Sequence, residues 1–167
     1  MVTKGVIPRN LRDIELLYDK AKSSKKKFYF AKLAVLELCG WLESTQDKLV
    51  RESADRCISA PQNLSILDER IKKTHGFEYD QHFRQLLILV AGISRLEKIE
   101  SEFDQSGSLT QLRSLLGKLK DPRNIAAHTH TTGVLPTIDA PSVVRKDLDA
   151  LYTYLRELER ILQKAHY

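Results

Sequence analysis

Residues 141 to 165 read PSVVRKDLDALYTYLRELERILQKA, and this stretch decides the fold class. Its main apolar residues recur with alternating steps of four and three, which places them on one face of an α-helix. They are Val144, Leu148, Leu151, Leu155, Leu158 and Leu162. Because such a face must pack against other helices to leave water, the stretch predicts a long helix inside a helical bundle.

Helical spacing of apolar residues continues through the rest of the chain, where Gly, Pro and polar clusters divide it into segments. No Val- or Ile-rich alternating stretch predicts a strand, and no segment repeats along the chain. We therefore expect an all-α fold, an antiparallel bundle of about four long helices plus short ones, built as a single domain over residues 1–167. The other predicted helices cover residues 8–22, 26–59, 63–73, 80–103 and a segment from about 108 that Asp121-Pro122 interrupts.

The composition permits a polyanionic partner such as RNA without requiring one. The 167 residues are 42% apolar, which is enough for a core, and 27 Lys and Arg against 22 Asp and Glu give a net charge of +5. The most apolar run, residues 86–93, is too short to span a membrane. We therefore expect no membrane association.

Cys39 and Cys57 are the two cysteines of the chain, and both fall in one predicted helix. Eighteen residues at ~1.5 Å each hold them ~27 Å apart, too far for an intrachain disulfide. No cysteine pair has metal-ligand spacing. We therefore expect a reducing, cytoplasmic compartment, no structural metal and no other cofactor.

One segment combines side chains that are suited to chemistry, and it reads Arg123-Asn124-Ile125-Ala126-Ala127-His128. Asp121-Pro122 just before it is a helix-start signal, because Asp caps free N–H groups and Pro needs no donor there. Arg123 is then expected in the first turn of a helix. Free N–H groups together with a guanidinium form a good phosphate cradle.

The spacing of this motif places its polar side chains on two sides of a helix. Asn124 and His128 are four apart and share a face, whereas Arg123 lies about 140° from His128 around the axis. The two alanines leave space around the imidazole for a partner chain or a nucleotide. On spacing alone, a capped helix start with an exposed Arg and a hydrogen-bonded His is the competing interpretation.

An Arg-Asn followed by three residues and a His, late in a helical bundle, resembles the HEPN superfamily (higher eukaryotes and prokaryotes nucleotide-binding). The resemblance covers most of the chain as architecture and residues 123–128 as motif. The segment LELCGWLES at 36–44 is also similar to the second-helix pattern of many HEPN proteins, where an acidic residue approaches the motif. The resemblance assigns that supporting position to Glu43; an ordinary solvated carboxylate is the alternative.

The resemblance implies a metal-independent endoribonuclease in which the ribose 2'-OH attacks the adjacent phosphate and leaves a 2',3'-cyclic phosphate. The catalytic residues would be Arg123, His128 and Asn124. His128 would carry a proton as general base or acid, Arg123 would offset charge on the phosphoryl oxygens, and Asn124 would orient the imidazole or a phosphate oxygen.

The resemblance also implies a homodimer, because one His per chain supplies only one proton carrier. In HEPN ribonucleases two copies of the motif typically face each other across a twofold interface, so that both His128 side chains share one cleft. His130 is a supporting candidate for the second carrier, although residues two apart on a helix diverge. A metal site of His128 and His130 lacks further ligands nearby.

The biological setting that the resemblance implies is a toxin–antitoxin or defence system, with an antitoxin or defence protein as a possible partner. In toxins that a nucleotidyltransferase inactivates, a Tyr follows the motif's His by two residues, and here that position is His130. This mode of control therefore has no support in the sequence.

The sequence is compatible with two further interpretations. The first is a non-catalytic HEPN-like module that binds nucleotide or RNA or serves protein interaction. The second is a helical interaction protein unrelated to HEPN, which burial of Arg123 and His128 in separate environments would favour.

Overall fold

A computed structural model describes residues 1–128 and 135–165 of the chain. These residues form seven α-helices and one π-helical turn and contain no strand, which confirms the predicted all-α helical bundle. In chain order the helices are α1 (Ile7–Lys20), α2 (Ser24–Cys57), α3 (Pro61–Lys73), α4 (Arg84–Ala91), α5 (Ile93–Phe103), α6 (Ser108–His128) and α7 (Pro141–Lys164), and the π-helical turn Tyr79–Phe83 precedes α4.

The core forms around α2, a helix of 34 residues that packs against α1, α4, α6 and α7. The apolar face of α7 lies in this core, and its six predicted residues are each at most 2% exposed. Burial of a Leu or Val side chain contributes roughly 1.5–3 kcal/mol, so this face is a large part of what holds the bundle together. The helix predicted over residues 141–165 is confirmed to within one residue of its end.

The predicted single helix over residues 80–103 is wrong, because the structure divides this segment at Gly92. The φ of Gly92 is +76°, in the left-handed region that glycine adopts without a steric penalty, and it separates α4 from α5. The change of direction lets Leu87 in α4 and Leu96 in α5 both reach the core, where each is 0% exposed.

The predicted interruption at Asp121-Pro122 is also wrong, because α6 continues through Pro122 to His128. A proline inside a helix costs about 3 kcal/mol through a lost hydrogen bond and a steric clash. Burial continues on both sides of it, with Leu116 and Leu119 before the proline and Ala126 after it. Packing of this continuous face outweighs the local helix-start signal, and the Arg-Asn-x-x-x-His motif therefore ends a helix.

The two cysteines lie in α2 as predicted and are both free thiols. Cys39 is buried and Cys57 is exposed. Among the described residues, no helix combines the length and the apolar character that crossing a bilayer requires.

Candidate functional site

The motif occupies the last turns of α6, with Arg123 half-buried and both Asn124 and His128 exposed. Within a helix the backbone N–H groups are already bonded to carbonyls four residues earlier. The expectation that free N–H groups beside Arg123 bind phosphate is therefore wrong. The C-terminal end of a helix favours cations instead, so an anion at this site must be bound by side chains.

Arg123 reaches from α6 to α2, where its Nη2 lies 4.0 Å from Oε1 of Glu43. The two side chains are 31% and 37% exposed, so the pair lies at the edge of the core. The Oε1 atom itself is buried and has no hydrogen-bond partner among the described residues. The structure therefore brings together Arg123 and the acidic residue that the sequence associated with it.

The charges of this pair act on Cys39, which lies beneath them in α2. Burial raises the pKa of the Cys39 thiol to about 12, with a further rise from the charge of Glu43 and a partial opposing effect of Arg123. A thiol with this pKa stays protonated near neutral pH, so Cys39 is no nucleophile here. It acts as a small apolar side chain under the Arg123–Glu43 pair.

A small cavity of about 80 Å³ opens beside the motif. Three side chains of α6 reach it, Lys120, Arg123 and Asn124, and the segment between α3 and α4 closes its other side. That segment contributes His75, Gly76, Phe77, Glu78 and His82. Two cations, one amide and two imidazoles thus surround a space of a few water molecules.

The wall opposite α6 depends on a close approach between Gly76 and His82. The φ of Gly76 is +146°, and a Cβ on this residue would lie 2.7 Å from Cε1 of His82. Phe77 beside it is buried, and its carbonyl accepts a 3.0 Å hydrogen bond from Nε2 of Gln46 in α2. These contacts fix the imidazole of His82 against the backbone at the edge of the cavity.

Glu78 is the one acidic residue among the cavity-lining side chains. Its Oε1 lies 3.0 Å from Nζ of Lys120, and its Oε2 lies 3.9 Å from Nδ1 of His82. That Nδ1 atom is buried without a hydrogen-bond partner in the described part of the chain. Glu78 therefore lies between Lys120 and His82, paired with the ammonium group and close to the imidazole.

The structure does not bring every predicted residue to this cavity. His128 lies one helical turn beyond Asn124 on the same exposed face and does not line the cavity. His130 lies outside the described residues. Because neither Arg123 nor His128 is buried, the condition that would favour an unrelated interaction protein is not met.

Three residues with suitable chemistry were absent from the predicted site: His75, His82 and Lys120. Lys120 precedes Arg123 by three residues, a spacing that places both on one side of α6, so the helix period could have indicated it. His75 and His82 come from a different segment. Their position depends on tertiary packing of Phe77 and on the φ of Gly76, which no local pattern reveals.

No protein-family model matches the chain, and no curated protein or solved structure shows significant similarity to it. Within residues 1–128 and 135–165, no three His, Cys, Asp or Glu side chains are grouped as metal ligands would be. The site is therefore defined by its own side chains, which surround one cavity at the end of α6.

Proposed function

We propose that this protein is a metal-independent endoribonuclease of the HEPN type that acts as a cytoplasmic homodimer. The observation that supports the proposal most directly is the cavity where Lys120, Arg123 and Asn124 meet two imidazoles. Cations and amides of this kind bind phosphoryl oxygens, and imidazoles transfer protons near neutral pH. The resemblance of Arg123–His128 to the HEPN motif supports the same chemistry.

In the proposed reaction a ribose 2'-OH attacks the adjacent phosphorus. One imidazole accepts the 2'-OH proton, another protonates the departing 5'-oxygen, and the products are a 2',3'-cyclic phosphate and a 5'-OH end. Arg123 offsets the charge that grows on the phosphoryl oxygens, and Asn124 orients one of them or the imidazole of His128. Two copies of His128, one from each protomer, supply the acid and the base, while His75 and His82 line the cavity that binds the phosphate beside Arg123.

An exposed apolar face of α2 supports the homodimer. Tyr29, Leu33 and Leu36 are 45%, 42% and 37% exposed, and with Gly40 they follow helical spacing on one side of α2. A Cβ on Gly40 would meet nothing within 4 Å in this chain, so another backbone can approach closely there. A glycine in the middle of a helix lowers helix stability by roughly 1 kcal/mol relative to alanine. Close packing of a second copy of α2 at Gly40 would offset this loss.

Charge along α2 fits an antiparallel pairing of two copies. Lys25 and Lys26 are exposed in its first turn, whereas Glu43 and Asp47 follow the apolar face near its middle. An antiparallel partner would place its lysines opposite these carboxylates and its α2 beside Arg123. The proposed dimer thus completes the site with groups from the second protomer.

The proposed setting is a toxin–antitoxin or defence system, with RNA as substrate and an antitoxin or defence protein as partner. The support for this setting is the HEPN resemblance and the exposed, basic character of the site.

A second candidate function is a non-catalytic HEPN-like module that binds RNA or nucleotide. The position of His128 favours it, because this imidazole does not line the cavity that contains Arg123 and Asn124. The same cations would bind phosphate without cleaving it.

The test is incubation of the purified protein with mixed RNA in EDTA, followed by analysis of the new ends. We expect cleavage that survives EDTA, leaves 2',3'-cyclic phosphate and is lost in both Arg123→Ala and His128→Ala. Arg9→Ala on the exposed surface of α1 is the matched control and should cleave normally. A folded dimer that binds RNA without cutting it would establish the binding module instead.

A further inference from the structure

A second, larger cavity adjoins the small one and runs between the end of α3 and the start of α4. It is a groove of about 510 Å³, within the usual size of ligand sites, and its polar side chains include Arg70, Lys73, Gln81 and Gln85. His75 and His82 line both this groove and the small cavity beside Arg123. The two imidazoles therefore lie between the groove and the small cavity and line both of them.

The groove carries positive charge that is largely uncompensated. None of its lining residues in the described part of the chain is Asp or Glu. Arg70 has no carboxylate partner among residues 1–128 and 135–165. Lys73 lies 3.6 Å from Glu69, but the side chains are 72% and 67% exposed, and such a pair contributes little.

We infer that this groove binds the phosphodiester backbone of single-stranded RNA and directs the next phosphate into the cavity at Arg123. The inference rests on the proposed function, because it assigns the path of that enzyme's substrate. Arg70 and Lys73 contact phosphates, and the amide of Gln81 donates to phosphate or ribose oxygens, as does the second N–H of the Gln85 amide, whose Nε2 already donates to the Asp80 carbonyl at 3.2 Å. Leu89, which is 46% exposed, gives the groove an apolar side for a ribose or base.

Continuity favours a polynucleotide over an acidic protein segment. Basic and polar side chains follow one another from Arg70 and Lys73 through the two imidazoles to Lys120 and Arg123, and Glu78, paired with Lys120, is the one carboxylate that lines this path in the described part of the chain. A strand with one charge per nucleotide matches a row of this kind, and basic grooves of single-strand binding proteins follow the backbone in the same way. This path also ends at Arg123, the residue that would contact the reacting phosphate in the proposed reaction.

The experiment measures binding of a 2'-O-methyl RNA oligonucleotide, which lacks the nucleophile and is not cut, over a series of salt concentrations. The variant R70Q/K73Q removes two groove cations. The control K72Q/K98Q removes the same charge from exposed positions that do not line the groove, one beside Lys73 and one on α5. Circular dichroism and sedimentation establish that both variants are folded.

We expect R70Q/K73Q to reduce the slope of log Kd against log salt by about 1.4 and to weaken binding about 25-fold near 0.1 M salt. The control should stay within about twofold of the unchanged protein. Equal slopes for both variants would overturn the inference. Competition by poly-glutamate as strong as that of RNA at equal charge would overturn it in favour of an acidic protein.

This test separates the groove from the proposed reaction. A reduced slope in R70Q/K73Q without any cleavage by the unchanged protein would retain the groove and refute the ribonuclease. EDTA-resistant cleavage with an unchanged slope would retain the ribonuclease and refute the groove.

Discussion

The guanidinium of Arg123 faces a buried oxygen of Glu43 at 4.0 Å without a hydrogen bond between them. Attraction at this distance restrains the side chain, and among residues 1–128 and 135–165 none of its five N–H donors has a hydrogen-bond acceptor. An arginine that is oriented in advance and has donors to spare is suited to bind phosphate oxygens. Glu43 is accordingly a positioning residue in the proposed site.

Replacing Glu43 with Gln should reduce single-turnover RNA cleavage by roughly 10- to 100-fold, because Arg123 loses the charge that orients it. The Kd for 2'-O-methyl RNA should stay equal or become tighter, since a negative charge leaves the neighbourhood of the phosphate. Glu97→Gln on the exposed surface of α5 is the control. Parallel losses of binding and cleavage would contradict this positioning role.

Replacing Gly76 with Ala should lower the free energy of unfolding by about 2–4 kcal/mol. The alanine would have to adopt the φ of +146°, which is unfavourable for a residue with a side chain. Its Cβ would also lie 2.7 Å from the His82 ring. Gly107→Ala is the control for an alanine at positive φ without a steric contact, because its φ is +76° and nothing lies within 4 Å of its Cβ. Urea unfolding measures both variants, and a loss in Gly76→Ala no larger than that in Gly107→Ala would show that the contact with His82 costs little.

Glu100 supports the segment before α4 through hydrogen bonds from Arg84 Nε at 2.7 Å and from the Tyr79 hydroxyl at 3.0 Å. Burial alone raises the pKa of Glu100, but these donors and the nearby charge of Arg113 outweigh it, so the pKa is lowered overall from its usual 4.5. The stabilisation is therefore present above about pH 4.5 and is lost as pH falls through the pKa of the folded state.

Glu100→Gln should accordingly cost about 1–3 kcal/mol of unfolding free energy near pH 7. The difference in unfolding free energy between the unchanged protein and Glu100→Gln should shrink as pH falls below about 4.5, because protonation of Glu100 weakens the same hydrogen bonds. Urea titrations of both proteins from pH 7 to below pH 4.5 measure this difference. A difference that is constant with pH would contradict a role for the ionised carboxylate.

The two thiols should differ in reactivity. Cys39 is buried with its pKa raised to about 12, whereas Cys57 is exposed, and burial raises its pKa more moderately. We expect iodoacetamide to label one cysteine of the folded protein, slowly, and both in denaturant. Mass spectrometry counts the labels, and Cys57→Ser should accept none while folded. Labelling of Cys39 in that variant would show that α2 opens beneath Arg123.

Helix periodicity predicted the bundle because most of its helices bury one regular face. The apolar face of α7 and the long helix α2 could both be predicted from the sequence for this reason. The predictions of two helix boundaries were wrong because a local signal competed with burial. At Pro122 the apolar face of α6 prevails over the proline, and at Gly92 the φ of one residue ends a helix whose apolar pattern continues.

The candidate site was predictable only where its residues share a helix. Arg123, Asn124 and His128 follow one another in α6, and Glu43 was identified through the HEPN resemblance. His75 and His82 reach the same cavity through the fold of the segment after α3, which depends on contacts with α2 and α6. When side chains from separate segments come together, the residue spacing within each segment does not reveal the contact.

The unbroken course of α6 has a consequence for natural variation in chain length. Leu112, Leu116 and Leu119 are buried, so they fix the rotation of this helix about its axis. Deleting or inserting one residue between Leu112 and Leu119 would turn Arg123 by about 100° and carry it away from Glu43. Related proteins should therefore vary in loop length before Ser108, while the number of residues from Leu112 to Arg123 stays constant.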